Sequence, residues 1–103
     1  MRLTAEQRHI ISRIVTEELG PEAHVKLFGS RLDDEARGGD IDLLIELHQD
    51  VEHPARLSAR LSVKLMRALH GRKVDVVLSA PNLETLPIHR IAREQGVTLF
   101  GES

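Results

Sequence analysis

The chain has no cysteine, no tryptophan and no tyrosine, and only two phenylalanines, Phe28 and Phe100, among its 103 residues. Without cysteine, disulfides and thiolate metal sites are excluded, and redox logic leaves the compartment open. The near-absence of aromatics weakens any reading built on base stacking, because single-strand binders rely on aromatic platforms. A bound nucleotide would have to be held mainly by its phosphates. Charge of one sign is also lacking: 14 Lys+Arg stand against 16 Asp+Glu, so there is no general attraction to nucleic acid or to a membrane surface. Nucleic acid is therefore not expected as a direct ligand. No apolar run approaches the ~20 residues of a membrane span, and the N-terminus lacks the apolar core of a secretory signal. The expectation is a cytoplasmic protein forming one domain over residues 1–103.

What is present is a regular alternation of helix and strand signals. Thr4-Ala5-Glu6-Gln7 reads as a capping box. Ile10, Ile11, Ile14, Val15 and Leu19 then recur at helical spacing until Gly20-Pro21 stops the helix. A short strand over 25–28 ends in Gly29-Ser30. The polar, Gly-terminated stretch 31–39 reads as a turn or short helix followed by a mobile loop. From Asp40 to Leu47 the chain alternates cleanly. Asp40, Asp42, Leu44 and Glu46 fall on one face, and Ile41, Leu43, Ile45 and Leu47 on the other.

Pro54 suits a first helical position, and Leu57, Leu61, Leu65 and Leu69 make a core stripe down to Gly71. A third strand over 73–79 follows, then a helix from Pro87 with Ile88, Ile91 and Ala92 inward, closed by Gly96, and a last strand over 97–100. The nine residues 31–39 that follow Gly29-Ser30 are too few for a crossover helix, so the first two strands should be antiparallel. The predicted class is α+β: a small mixed sheet with helices packed on one face.

The chemistry is carried by Gly29-Ser30, Asp40-Ile41-Asp42 and Val74-Asp75-Val76-Val77. Residues at i and i+2 of a strand share a face, about 6.5 Å apart along it. Two carboxylates so placed can converge on cations in front of the sheet. A third from a neighbouring strand completes a cage for two magnesium ions; manganese is the alternative ion. Gly29 lets phosphate approach the main chain, and Ser30, if it begins a helical turn, offers its amide and hydroxyl to the same anion. Arg31 and Arg37 flank that turn, where they could contact triphosphate oxygens or simply solvate a polar loop.

The bland readings are solvent-facing strand acids for Asp40 and Asp42, and a buried ion pair with Arg for Asp75. The combination favours a metal site. Glu46 reads as an exposed strand end. Arg56, Arg60, Lys64 and Arg67 read as a solvated helix face. His48 and His53, in a loop without cysteine, do not make a zinc site.

Phe28-Gly29-Ser30-Arg31, Arg37 before Gly-Gly-Asp-Ile-Asp-Leu, and Val74-Asp75-Val76-Val77 resemble the minimal nucleotidyltransferases of the DNA polymerase beta-type superfamily, and the similarity runs to Gly-Val-Thr-Leu-Phe at 96–100. The resemblance implies magnesium-dependent transfer of a nucleoside monophosphate. Asp40, Asp42 and Asp75 would be the metal carboxylates, and Gly29 and Ser30 would hold the triphosphate. Gly39 stands where relatives often carry a small polar residue. Many such proteins are encoded beside helical partners of the HEPN type, and some are antitoxins that adenylylate them.

The expected function is thus transfer of AMP from ATP to a hydroxyl of a HEPN-type partner toxin. The alternative is a non-catalytic binding subunit or antitoxin that acts by occlusion. Small-molecule modification is disfavoured, since 103 residues leave little room for a second substrate domain unless a homodimer builds the pocket. Association of copies is left open.

Overall fold

The computed structural model describes residues 3–28 and 41–100. In chain order the elements are α1 (Ala5–Leu19), β1 (His24–Phe28), β2 (Ile41–Glu46), α2 (Pro54–Ala68), β3 (Val74–Ser79), α3 (Pro87–Gln95) and β4 (Val97–Phe100). The four strands form one sheet in the order β3-β2-β1-β4. β1 is antiparallel to β2 and to β4, whereas β2 and β3 run parallel. The mixed sheet and the α+β class agree with the sequence reading.

Local signals explain most boundaries. Thr4 caps α1 through its Oγ1, which accepts from the Gln7 amide at 3.0 Å, while the Gln7 side chain accepts from the Thr4 amide at 2.9 Å. Two of the four orphan amides of the helix are satisfied in this way. Pro54 opens α2, where a missing N–H costs nothing.

Alternation in the strands divides the sheet into two faces. Val25, Leu27, Ile41, Leu43, Ile45, Val74 and Leu78 point into the principal core, where α1 adds Ile11, Ile14 and Val15, and α2 adds Leu61 and Leu65. Glu18 of α1 ties the two helices together by accepting from Lys64 Nζ at 2.7 Å and pairing with Arg60 Nε at 3.0 Å. Half of the basic stripe on α2 is therefore an interhelical clamp, not only a solvated face.

The opposite sheet face carries a smaller cluster of Phe28, Leu44 and Ala92, with Val77 packed against it. Ala92 belongs to α3, so this helix lies across the sheet from α1 and α2. Here the structure departs from the expectation that all helices share one face. The inward side of α3 also differs. His89 and Ala92 are buried, whereas Ile88 and Ile91 are 38% and 44% exposed.

The reason is close packing. At Gly96 an added Cβ would lie 3.2 Å from Lys26 Cβ and 3.3 Å from the Leu27 carbonyl oxygen, so the end of α3 sits almost on the backbone of β1. Small residues, not the largest apolar ones, permit that approach. His89 fits because both ring nitrogens are used. Nδ1 accepts from the Leu86 amide at 2.9 Å, which leaves Nε2–H to donate to the Leu78 carbonyl at 2.8 Å.

Candidate active site

The face under α3 is also the face of the acids. Along it the strands present three rows in register. Phe28, Asp42 and Asp75 form the first, Lys26, Leu44 and Val77 the second, and His24, Glu46 and Ser79 the third. Asp42 and Asp75 are thus direct neighbours on adjacent parallel strands, which are separated by about 4.8 Å. Both are half-buried. Asp75 has no ion-pair partner among the described residues, so the alternative of a buried pair with Arg does not hold there. Ile41 Cα pairs with Val74 one position earlier, and both point into the core.

The third row is closed off. Arg93 of α3 donates from Nε to Glu46 Oε2 at 3.2 Å and from an Nη2 to Ser79 Oγ at 2.7 Å. Lys26 Nζ donates to the Arg93 carbonyl at 3.3 Å, near the helix end where a cation is favoured. Glu46, read from sequence as an exposed strand end, is in fact half-buried and held by this arginine. Among the described residues, then, the sheet face has one end fastened by charge and one end carrying two carboxylates.

Five of the seven expected site residues, Gly29, Ser30, Arg31, Arg37 and Asp40, lie outside the described residues, as does the loop expected over 31–39. Among the described residues no three His, Asp or Glu converge as a metal cage. The two described acids do suit a hard divalent cation. They supply carboxylate oxygens only, and magnesium needs few protein ligands because it retains several waters. His48 packs edge-on against His24, with ring centroids 5.3 Å apart.

A cavity of about 460 Å³ opens at the other end of the sheet, lined by Glu18, Leu47, His48, Asp50, Arg56 and Arg60 among others. Neither Asp42 nor Asp75 borders it, and Glu18 and Arg60 are engaged with each other. No helix of the described residues is long and apolar enough to cross a membrane.

Three comparisons bear on this geometry. No curated protein matches the chain in sequence. Among solved structures, the fold matches a crystal structure of the toxin–antitoxin pair MntA–HepT at 20% identity and a TM-score of 0.68, covering 96% of this chain and 74% of that one. A toxin–antitoxin structure with AMP-PNP matches at 23% identity and 0.70, covering 92% and 73%. The complex of a tri-AMPylated HEPN toxin with its MNT antitoxin from Shewanella oneidensis matches at 21% and 0.67, covering 94% and 71%. At these identities the likeness is one of fold. The family assignment comes from sequence: the nucleotidyltransferase domain pattern matches residues 9–99, from the first helix into the last strand. Because that match takes in both strands that bring Asp42 and Asp75 side by side, the chain belongs to the nucleotidyltransferase domain family and is an enzyme of that class.

Proposed function

We propose that the protein transfers AMP from ATP to a hydroxyl of a partner protein of the HEPN type, as an antitoxin. One observation carries the reading: two carboxylates, Asp42 and Asp75, stand in register at the end of the sheet face that α3 leaves unfastened. The toxin–antitoxin complexes that share the fold, one with AMP-PNP and one with a tri-AMPylated HEPN toxin, support the choice of nucleotide and acceptor.

In this reading the acceptor hydroxyl oxygen attacks the α-phosphorus of ATP. The bond from that phosphorus to the bridging oxygen breaks, pyrophosphate leaves and the hydroxyl proton passes to solvent. Asp40, Asp42 and Asp75 would hold magnesium, or manganese in its place. When bound, two such ions would neutralise the triphosphate and favour the in-line displacement. Gly29 and Ser30 would cradle the triphosphate, with Arg31 and Arg37 against its oxygens. The chain's own contribution is position and fixed charge, since phosphoryl chemistry of this kind requires little covalent help from protein.

The test uses labelled ATP, magnesium and a helical partner protein recovered by co-purification with this one. Label should move to the partner with release of pyrophosphate, and either Asp42→Asn or Asp75→Asn should abolish it. Parent-level transfer by both variants would falsify the assignment. Protection of the cell from the partner by both variants, with no label on the partner, would favour occlusion instead.

A further inference from the structure

The longest run of one sign of charge in the chain falls on α2 and the turn that follows it. Between Glu52 and Asp75 there is no Asp or Glu, yet six of the 14 Lys and Arg lie there, in a chain of net charge −2. On α2 itself Arg56, Ala59, Arg60, Val63, Lys64 and Arg67 are exposed. Their spacing of three and four residues sets them opposite Leu61 and Leu65, which are buried in the core. Glu18 answers only part of this charge. Its single carboxylate serves both Arg60 and Lys64, and Arg56 and Arg67 have no ion-pair or hydrogen-bond partner among the described residues. Four cations against one carboxylate leave the outer face of the helix three charges positive.

We propose that this face docks an acidic helix of a partner protein, an inference independent of the chemistry at Asp42 and Asp75. Charge decides the sign of the partner. An uncompensated basic face attracts a surface of carboxylates and repels a second copy of itself. Apolar surface decides its class. Val63, 41% exposed, stands in the middle of the row, with Ala59 one turn before it and Met66 half-buried beside it. Nucleic acid would leave this aliphatic strip without a counterpart, and α2 has no aromatic side chain on which a base could stack. Arginine and methionine around an apolar centre are instead what the buried middle of a protein interface favours. The shape suits a helix. The row runs straight along α2, and the small Ala59 admits a second helix to the roughly 8–10 Å of packed helix pairs. The acidic stretch of the partner is bounded, because the sign reverses at the start of α2, where Asp50 and Glu52 line the cavity beside Arg56. One helix laid on another buries less than the roughly 800 Å² per partner of a stable interface, so the contact is a weak one steered by charge.

The experiment titrates the isotope-labelled chain with three probes and follows its backbone amides by NMR, which registers weak binding. The first probe is a synthetic helix about as long as α2, with leucines along one seam and glutamates beside it. The second is the same peptide with lysines in place of the glutamates, and the third a single-stranded RNA of equal charge. The glutamate peptide should shift the amides of α2 and leave those of α3 in place, and the lysine peptide should shift neither. No shift with the glutamate peptide, shifts spread over the whole surface, or equal binding of the lysine peptide would each overturn the proposal. RNA that bound α2 more tightly than the glutamate peptide would overturn it in favour of a nucleic-acid face.

Three variants separate docking from bulk charge. Arg56→Glu/Arg67→Glu should weaken binding of the glutamate peptide on the order of tenfold, and Val63→Ser should weaken it several-fold with every charge intact. Arg90→Glu, at an exposed position of α3, should bind as the parent does. All the substituted side chains are exposed, and the amide spectrum itself reports that each variant is folded. If Arg90→Glu lost as much as the α2 pair, net charge alone would be at work; if Val63→Ser bound like the parent, the apolar centre would have no part. Either result would remove α2 as the seat.

Discussion

Gly96→Ala adds one methyl group at the point where α3 meets β1, and the geometry sets its cost. The new Cβ would collide with the Ala92 carbonyl oxygen of its own helix and would lie 3.2 Å from Lys26 Cβ and 3.3 Å from the Leu27 carbonyl oxygen. Two of these three atoms are backbone, so no side chain can swing aside to relieve the crowding. Gly96 has φ of −73°, so alanine suffers no backbone strain there and the whole penalty is steric. The last turn of α3, where the Gly96 amide donates to the Ala92 carbonyl, must open and shift from β1, which loosens Ala92 from Phe28 and Leu44 as well.

Overpacking of this kind costs about 1–3 kcal/mol, and the backbone clash puts this case at the upper end. For a domain of this size each kcal/mol lowers Tm by roughly 4–8 °C, so the variant should melt on the order of 10–20 °C below the parent. Gly71 provides the control. A Cβ there meets nothing within 4 Å, but φ is +83°, so Gly71→Ala should cost only the left-handed penalty of about 1–2 kcal/mol. Thermal melts followed by circular dichroism give both values. If Gly96→Ala melted within about 2 °C of the parent, the close approach of α3 to the sheet would not exist.

Other perturbations probe separate contacts. Leu44→Ala, in the middle of the acid-bearing face and fully buried, should destabilise the fold by about 2–5 kcal/mol, read as a lower urea midpoint with an unchanged slope. His89→Ala strands the Leu86 amide and the Leu78 carbonyl and should cost about 1–3 kcal/mol; parent-like urea stability would show that water replaces both bonds. The hydrogen bond from Lys64 first, then the charges of Arg60 and Lys64, hold the Glu18 carboxyl below its ordinary value, against a desolvation that raises it. A carboxylate depressed in the folded state contributes stability above its unfolded pKa and loses it as pH falls through the folded one. Glu18→Gln should therefore be less stable than the parent at pH 7, by about 0–1 kcal/mol given its exposed partners, and the gap should close in acid. A gap that persists at pH 2 would assign the effect to packing.

The parts legible in the sequence were those fixed by near neighbours. Thr4 and Gln7 announce the start of α1 because both halves of the capping box lie within one turn. The strict alternation from Asp40 to Leu47 separates core from acid face because a strand's period is two, and the short connection before it makes β1 and β2 antiparallel. The misreadings arose where distant residues decide. Ile88 and Ile91 look inward by hydrophobicity, yet Ala92, His89 and Gly96 set how closely α3 can approach a sheet whose own side chains are invisible to a local pattern. Glu46 looks exposed because its partner, Arg93, comes from α3. Arg60 and Lys64 look solvated because Glu18 sits on another helix. At the site, the pairing of Asp42 with Asp75 was readable as two acids on strands, but their direct register comes from the parallel pairing of β2 with β3.

The division of the sheet into two faces also gives the molecule a history. Among the described residues every buried member of the principal core lies before residue 79, from Ile11 to Leu78, and α3 and β4 add only Leu99 at its margin. A chain emerging from the ribosome N-terminus first can therefore assemble that core while the acid-bearing face is still bare. The helix that fastens this face arrives last. In the finished protein the same segment is the natural unit of partial opening, so the amides of α3 should exchange with solvent through excursions that leave β2 and α2 folded and lay bare Phe28 and Leu44.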